Sequence, residues 1–245
     1  MKRLFYIANI RMPTERAHGI QVVKMCEAFA NAGVSVELVV PSRLNSLQRD
    51  PFEYYGVKKN FEITRLPVLD TVSFGRVGFW FESFLFFSAA RLYLGGKEGR
   101  VYTREEAVGL FFRDIFLELH TIPRSAGLLR KRIWRKARVL FVITHLLKNE
   151  LAREGIDPQK IKVVPDAVDL AQFDIPVSKE EARKRLGLPI DKRIILYTGS
   201  FFLYDWKGVD VLLEAAEQIK DLKFKISALF VLVGGSDKEI AAAEA

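Results

Sequence analysis

The chain has 245 residues, 49% of them hydrophobic and 28% charged, and its 38 basic and 30 acidic residues give a net charge of +8. A chain of this length forms one large or two modest domains, and its apolar content excludes a mainly disordered protein. One cysteine excludes a disulfide scaffold, while the excess positive charge favours an anionic partner such as a phosphate, a nucleic acid or a membrane surface.

We predict no targeting or membrane-spanning segment. The apolar run at residues 4–10 follows a basic start that imitates a signal peptide, but Asn9 interrupts it and no small-residue cleavage site follows. The most apolar later stretch, residues 77–94, contains Glu82 and Arg91 and is too broken to cross a bilayer. We therefore expect a cytoplasmic protein.

Strand-like apolar runs alternate with helical patterns along most of the chain. The predicted strands cover residues 4–8, 34–40, 62–66, 101–103, 115–119, 139–143 and 161–164. The first predicted helix carries its apolar face on Val22, Met25, Cys26, Phe29 and Ala30, and further helices cover residues 77–94, 104–112, 127–137 and 145–154. We expect Gly33 to end the first helix and Pro41 to end the second strand. This alternation is typical of an α/β fold, a Rossmann-like, doubly wound and mostly parallel sheet.

The pattern changes at residues 165–178, where prolines and aspartates replace any periodicity. Ser178 and Glu181 then predict a capping box for a short helix that Gly187 ends. A strand at 194–198, a helix after residue 208 and a strand at 228–233 follow. We predict three regions: an N-terminal Rossmann-like domain over residues 1–170, a linker with a short helix over 171–189, and a truncated second Rossmann-like domain over 190–245, represented by its first β-α-β part.

Several common nucleotide and catalytic motifs are absent from the sequence. There is no G-x-G of the dinucleotide fingerprint, no P-loop and no serine-hydrolase elbow. Three histidines and one cysteine, widely separated, give no metal-ligand spacing. The ligand of a doubly wound sheet is therefore expected at the carboxyl ends of the strands, where helix N-termini gather positive potential.

Five residues in the predicted loops are candidates for ligand binding. Gly19 would allow a phosphate or sugar to approach the first helix closely, and His120, at a strand end, can act as a hydrogen-bond donor or acid–base group. Gly199 permits close backbone approach and Ser200 offers a hydroxyl. Lys207 adds charge to an already positive helix start, which favours a bound anion. The alternatives are an ordinary loop glycine, a structural histidine and a solvated lysine.

Four segments resemble motifs of the family 4 retaining glycosyltransferases. Val-Val-Pro-Asp-Ala-Val-Asp at 163–169, followed by Phe173, is similar to the signature VIPNGVDxxxF. Residues 196–200 and 207–215 are similar to the YxGR/S…KGxxxLLEA segment, and residues 116–120 to the strand end xxELH. The resemblance covers nearly the whole chain in consistent order.

This resemblance implies a GT-B architecture, in which an acceptor domain and a nucleotide-sugar domain face each other across a cleft. Lys207 matches the family's diphosphate-binding lysine, and Gly199 and Ser200 match the preceding pair, where many members have Gly-Arg. His120 matches the active-site histidine that contacts the donor sugar, and Gly19 the loop glycine that faces the donor phosphates. The family uses a UDP- or GDP-linked sugar and needs no bound metal or other cofactor.

The resemblance predicts a hexosyltransferase that acts with retention on a glycan or lipid-linked acceptor. The chain stops before the family's E-x7-E pair, so we expect no turnover from these 245 residues alone. Two alternatives stay open: a non-catalytic module that binds a lipid or glycan, and a GT-B sugar-nucleotide epimerase.

Two segments concern location. The basic, amphipathic stretch 124–138 predicts contact with anionic lipid, with a solvated helix face as the alternative. The residues proposed for this contact are Arg130, Lys131, Arg132, Trp134, Arg135 and Lys136. Aromatic residues crowd 74–93, where core and interdomain packing is one explanation and lipid or acceptor contact the other. Since no nucleic-acid reader motif accompanies the basic stretch, we expect a peripheral place on the inner face of the cell membrane and no nucleic acid.

Overall fold

The computed structural model describes residues 3–123, 126–201, 207–221, 228–236 and 239–241. The chain divides into two compact units, Met1–Ala167 and Val168–Ala245. Each unit contains its own parallel sheet. The predicted linker at 171–189 falls in the second unit.

The first unit is built on seven parallel strands in the order β3-β2-β1-β4-β5-β6-β7. The strands are β1 Arg3–Ile7, β2 Ser35–Ser42, β3 Glu62–Pro67, β4 Arg100–Thr103, β5 Phe116–Leu119, β6 Val139–Val142 and β7 Ile161–Val163. The helices are α1 Ala17–Asn31, α2 Pro51–Tyr55, α3 Gly75–Tyr93, α4 Leu128–Lys136 and α5 His145–Arg153, with 3-10 turns at Val72–Phe74, Glu106–Leu110 and Pro158–Lys160. The predicted Rossmann-like, doubly wound sheet is confirmed.

Alternation along β1 separates the two faces of this sheet. Leu4 and Tyr6 pack with α1 in one apolar cluster, whereas Phe5 and Ile7 pack with α3 in another cluster on the opposite face. The chain passes from β3 at one edge to β4 on the other side of β1, so the strand order reverses between β1 and β4. Ligands of doubly wound sheets bind at the carboxyl ends of the strands beside this point.

Two predicted elements differ in the structure. The second strand does not end at Pro41 but continues to Ser42. Pairing with β1 stops at Val39, so Pro41 has no strand neighbour on the β1 side, where a missing N–H is tolerated, and it still pairs with β3 on the other side. The helix predicted at 104–112 is a 3-10 helix over Glu106–Leu110 only. A 3-10 helix rises about 2.0 Å per residue against about 1.5 Å in an α-helix, so it spans the same distance with fewer residues.

The second unit contains α6 Leu170–Phe173, α7 Lys179–Arg185, β8 Arg193–Thr198, α8 Val209–Asp221 and β9 Ala228–Val233. Strands β8 and β9 pair in parallel, so the chain crosses over between them through α8 as the β-α-β pattern predicted. The Ser178 hydroxyl accepts the N–H of Glu181 at 3.1 Å, but the Glu181 carboxylate pairs with Arg185 at 2.5 Å and does not complete the capping box.

None of the helices in the described ranges has the length and apolar character that crossing a bilayer requires.

Candidate functional site

Polar side chains from three strands and one helix meet at the carboxyl edge of the first sheet. Arg104 follows β4, His120 follows β5, Asp166 follows β7, and Gln21 lies near the start of α1. The Gln21 amide donates to Asp166 Oδ1 at 2.9 Å and accepts from the guanidinium of Arg104 at 2.5 Å. His120 Nε2 lies 4.0 Å from Asp166 Oδ1. The edge therefore carries one connected network.

Glu118, the third residue of β5, is a buried residue that contacts His120 and Arg104 of this network. Its buried carboxylate accepts short hydrogen bonds from His120 Nε2 and from the Tyr102 hydroxyl, and Arg104 Nε lies 3.7 Å away. Burial alone would raise the pKa of Glu118, but the His120 and Tyr102 hydrogen bonds and the Arg104 charge lower it below its ordinary value. Glu118 is therefore an anion at neutral pH.

The ionised Glu118 decides which nitrogen of His120 carries the proton. Because a carboxylate accepts and does not donate, Nε2 is the protonated nitrogen of the neutral ring. The other nitrogen, Nδ1, is then able to accept a hydrogen bond from a hydroxyl group, or to donate one when the ring is charged. His120 is partly exposed, with 20% of its side-chain surface accessible. The ring is thus held in one orientation and one tautomer while part of it faces solvent.

Sequence reasoning found His120 but missed most of its supports. Glu118 entered only as a letter of the strand-end motif and Asp166 only as a letter of the motif at 163–169, and the sequence pattern did not single out Tyr102, Arg104 or Gln21. The register pairs Tyr102 with Phe116 on the neighbouring strand, which brings Arg104 opposite Glu118. The polar residues at the ends of these two strands are visible in the sequence, but their meeting depends on which strands pair, which the sequence pattern does not specify.

Three of these side chains also have the chemistry of metal ligands. Glu118, His120 and Asp166 each offer one ligand atom, and these atoms lie within 4.8 Å of one another. The Arg104 guanidinium already supplies a positive charge to the same Glu118 oxygen. The Glu118–His120 hydrogen bond occupies two of the three ligand atoms, so the arrangement fits a hydrogen-bond network better than a cation site.

Gly19 is the third residue of α1, and its surroundings account for the glycine. A Cβ added there would lie 2.3 Å from the Tyr55 hydroxyl and 2.5 Å from Thr14 Cγ2. The Tyr55 hydroxyl in turn donates to the Thr14 carbonyl and accepts its N–H, both at 2.7 Å. Close packing of this loop therefore requires a small residue, and contact of Gly19 with donor phosphates stays a prediction.

The other donor-binding candidates lie in the second unit, where β8 ends. Gly199 has a φ of +147° and donates its N–H to the Val233 carbonyl at 2.9 Å. The Ser200 hydroxyl donates to Glu239 Oε1 at 3.2 Å. Lys207 is exposed, two residues before the start of α8. Gly199 and Ser200 thus follow the carboxyl end of β8, and their role in binding a diphosphate stays a prediction.

The prediction of a membrane contact at Trp134 is wrong. Trp134 is fully buried at 0% exposure, and its indole N–H donates to Glu106 at 2.6 Å. Arg130 and Lys131, on the same helix, form ion pairs with Glu106 at 2.7 Å and with Glu154 at 2.5 Å. The sequence pattern could not separate the inner from the outer face of this short helix. Its exposed basic residues are Arg132, Arg135 and Lys136.

No protein-family profile matches the chain. Among curated proteins, the chain is similar to a D-inositol 3-phosphate glycosyltransferase of Acidothermus cellulolyticus, with 28% identity over 221 residues. The alignment covers 83% of the chain and 45% of that protein, so the chain spans less than half the length of this relative.

Solved structures of low sequence identity share the fold. Sucrose-phosphate synthase from Thermosynechococcus elongatus superposes with a TM-score of 0.71 at 20% identity, over 100% of this chain and 66% of that chain. The Anabaena protein HepE in complex with UDP superposes with a TM-score of 0.63 at 11% identity, over 100% of this chain and 65% of that one. The chain resembles GT-B glycosyltransferases. The resemblance to glycosyltransferases that the motifs predict is confirmed by a relative named as a glycosyltransferase, and the solved structures confirm the fold.

The GT-B fold by itself does not distinguish a transferase from an epimerase. The UDP-GlcNAc 2-epimerase from Methanocaldococcus jannaschii also superposes, with a TM-score of 0.57 at 16% identity, over 99% of this chain and 68% of that chain. The sequence relatives and the site residues therefore carry more weight than the fold in choosing a function.

Proposed function

We propose that the protein transfers a hexose from a UDP- or GDP-linked sugar to a glycan or lipid-linked acceptor, with retention at the anomeric carbon. The observation that carries this proposal is the position of His120, held by Glu118 at the carboxyl edge of β5 in a chain that resembles glycosyltransferases. A histidine held in this way can bind a hydroxyl of the transferring sugar through Nδ1.

The proposed donor contacts are divided between the two units. In the second unit, Lys207 and the backbone amides near Gly199 and Ser200 would hold the diphosphate, and positive charge there would stabilise the leaving group without a bound metal. In the first unit, Gly19 would face the donor phosphates. Ser200 stands where many family members have arginine, which removes one positive charge and places more of the electrostatic work on Lys207. No nucleophile is assigned, because the same-face mechanism proposed for this class uses none.

The experiment measures nucleotide binding by calorimetry, with UDP and GDP as probes and Lys207→Ala as the variant. A lost charge-assisted hydrogen bond of about 1.5–3 kcal/mol corresponds to about 10- to 150-fold weaker binding. The matched control is Lys184→Ala, which removes another exposed lysine of the second unit. The proposal would be contradicted if the wild-type protein bound neither nucleotide, or if Lys207→Ala and Lys184→Ala bound the nucleotide with the same affinity.

A product analysis separates the alternative functions. Incubation of the natural protein that contains this chain with a nucleotide sugar and candidate acceptors gives a glycoside and a free nucleoside diphosphate if it is a transferase. An epimerase instead returns an isomerised nucleotide sugar, and a binding module returns the donor unchanged. The anomeric configuration of the glycoside, measured by NMR, tests retention. The absence of turnover from the 245 residues alone stays a prediction.

We also propose that the protein works in the cytoplasm, peripherally on the inner face of the cell membrane, where a lipid-linked acceptor would be within reach. The exposed basic residues of α4 support this location.

A further inference from the structure

Helix α3 is apolar on the side that faces away from the sheet. Its inner face buries Glu82, Ser83, Phe86, Phe87 and Ala90. Its outer face carries a stripe of large apolar side chains, which are between 53% and 82% exposed: Val77, Trp80, Phe81, Phe84 and Leu92. Residues three or four apart lie on the same side of a helix, so this stripe is continuous over the first turns of α3. A surface helix of a globular protein normally shows polar residues there.

The inner face of α3 is fixed to the sheet, so the helix cannot turn this stripe inward. Glu82 is fully buried and pairs with Arg43, which donates to both of its carboxylate oxygens at 2.5 and 2.9 Å. Next to it, the Asn9 amide donates to the Ser83 hydroxyl at 2.7 Å. Rotating α3 would break a buried ion pair, which costs several kcal/mol. The apolar stripe is therefore a permanent surface of the unit.

The apolar surface continues from α3 towards α4. The Phe84 ring lies 5.7 Å from the ring of Phe111, which follows the exposed Leu110 in the chain. Through Glu106, the same 3-10 segment is bonded to Arg130 and Trp134 of α4. The start of α4 adds two further exposed side chains, Leu128 and Leu129. We call the outer surface of α3, the Glu106–Leu110 turn and α4 the α3–α4 face.

The exposed charges of the two helices are positive. On α3 the charged residues are Arg76, Arg91 and the buried Glu82, whose charge Arg43 neutralises. Helix α4 contains no acidic residue and exposes Arg132, Arg135 and Lys136. The acidic Glu106 between the helices is already paired with Arg130. Large aromatic side chains bordered by arginines are the composition of a helix that lies in a membrane interface.

We propose that the α3–α4 face binds the surface of an anionic lipid bilayer. Trp80, Phe81 and Phe84 enter the boundary between headgroups and acyl chains, while Arg76 and Arg91 contact lipid phosphates. This inference deepens the peripheral location proposed above and gives the aromatic α3 the main contact, which the sequence had suggested for α4. A second copy of the chain is a poorer partner, because it would bring two positively charged faces together.

The test is flotation of the 245-residue chain with vesicles of phosphatidylcholine alone and of phosphatidylcholine mixed with phosphatidylglycerol. We expect the chain to float with the mixed vesicles, less so as salt screens the arginines. The double variant Trp80→Gln/Phe84→Gln should bind at least about 10-fold more weakly, because each side chain contributes about 1.5–3 kcal/mol when buried. The matched control is Phe173→Gln/Leu186→Gln, which changes two exposed apolar residues of the second unit.

Three outcomes would overturn the proposal. The wild type does not float with the mixed vesicles, the control variant loses binding as much as the α3 variant, or the α3 variant instead dissociates a dimer seen by sedimentation, which would make the face an interface between copies. Calorimetry with UDP and GDP on the α3 variant keeps the two proposals apart. Unchanged nucleotide binding with lost flotation concerns this surface alone, and lost nucleotide binding in Lys207→Ala concerns only the proposed function.

Discussion

Two carboxylates of the first unit have similar chemical partners at opposite edges of the same sheet. Glu37, near the amino edge of β2, accepts hydrogen bonds from Arg3 and Tyr93 at 2.7 Å and from Thr64 at 2.8 Å. Glu118, near the carboxyl edge of β5, is bonded to a histidine and a tyrosine and lies near an arginine. Burial would raise the pKa of each carboxyl group, but in both cases the hydrogen bonds lower it below its ordinary value.

The difference lies in where the partners lead. The partners of Glu37 are residues of β1, β3 and the end of α3, so this network joins structural elements to one another. His120 instead lies beyond the end of β5, is partly exposed, and faces Asp166 at the carboxyl edge of the sheet, where doubly wound folds generally bind ligands. The comparison teaches that the same ionised carboxylate can join structural elements or hold a partly exposed side chain, depending on whether all of its partners lie inside the fold.

Of the substitutions at Glu118 and Glu37, Glu118→Gln should lower the affinity for a nucleotide sugar the most. A glutamine of the same shape no longer holds the His120 tautomer, and loss of such an orienting partner typically costs about 10- to 100-fold. The measurement is the affinity for UDP-glucose relative to UDP, or for GDP-mannose relative to GDP, since His120 is proposed to contact the sugar. A merely structural role would lower both affinities together and leave their ratio unchanged.

The matched substitution at the amino edge, Glu37→Gln, should lower stability and spare ligand binding. It weakens charge-assisted hydrogen bonds in a buried network, so we expect the free energy of unfolding to fall by about 2 kcal/mol. Urea unfolding followed by circular dichroism measures this loss. The ratio of nucleotide-sugar to nucleotide affinity should stay at its wild-type value, and a change in that ratio would break the proposed contrast.

Gly19→Ala tests a packing contact inside the fold, between Gly19, Tyr55 and Thr14, that lies close in sequence to Gln21 of the His120 network. Overpacking against the Tyr55 hydroxyl and Thr14 should cost about 1–2 kcal/mol of stability, measured by thermal unfolding. Adding Tyr55→Phe and Thr14→Ser removes the two nearest atoms and should restore part of that loss. If the restored variant still binds UDP or GDP less tightly than the Tyr55→Phe/Thr14→Ser control, the glycine serves the donor as well as the packing.

Lowering the pH tests the structural role of Glu37, because protonation removes the charge of its carboxylate and with it part of the stability of the fold. Since the folded state lowers the pKa of Glu37 from an ordinary 4.5, its stabilisation is present above pH 4.5 and is lost as the pH falls through the folded value. Replacing Glu37 by glutamine should therefore make the acid-induced decline in unfolding free energy shallower by up to about 1.4 kcal/mol per pH unit. Urea titrations between neutral pH and pH 3 measure this slope, and parallel curves for the two proteins would contradict the expectation.

The sequence predicts what is local and misses what depends on register. The period of Val22, Cys26 and Phe29 gives α1, and Gly33 ends it with a φ of +82°. The meeting of Arg104 with Glu118 depends on the pairing of two strands, which no single-chain pattern specifies.

Close packing over short elements was the second source of error. Helix α2 has only five residues, which is too short for a helical period to show in the sequence. Its N-cap at Asp50 and the proline that follows were therefore not enough to predict it. Trp134 was placed on the outer side of α4 because basic residues surround it in sequence, whereas Glu106 draws its indole N–H into the core. The fold was thus predictable from period and turn chemistry, and the supports of His120 were not.

Trp134→Phe, which has the smallest expected effect, concerns a third carboxylate, Glu106. Its partners lie inside the fold, as those of Glu37 do, but they belong to α4, one element of the α3–α4 face. Glu106 accepts from the Trp134 indole at 2.6 Å and from Arg130 at 2.7 Å, so phenylalanine removes one partner and leaves the other. Because the ion pair persists, we expect a loss of only about 1 kcal/mol in urea unfolding, with flotation and nucleotide binding unchanged. A loss of flotation in this buried-site variant would show that α4 orders the lipid-binding surface, since Trp134 itself cannot reach a bilayer.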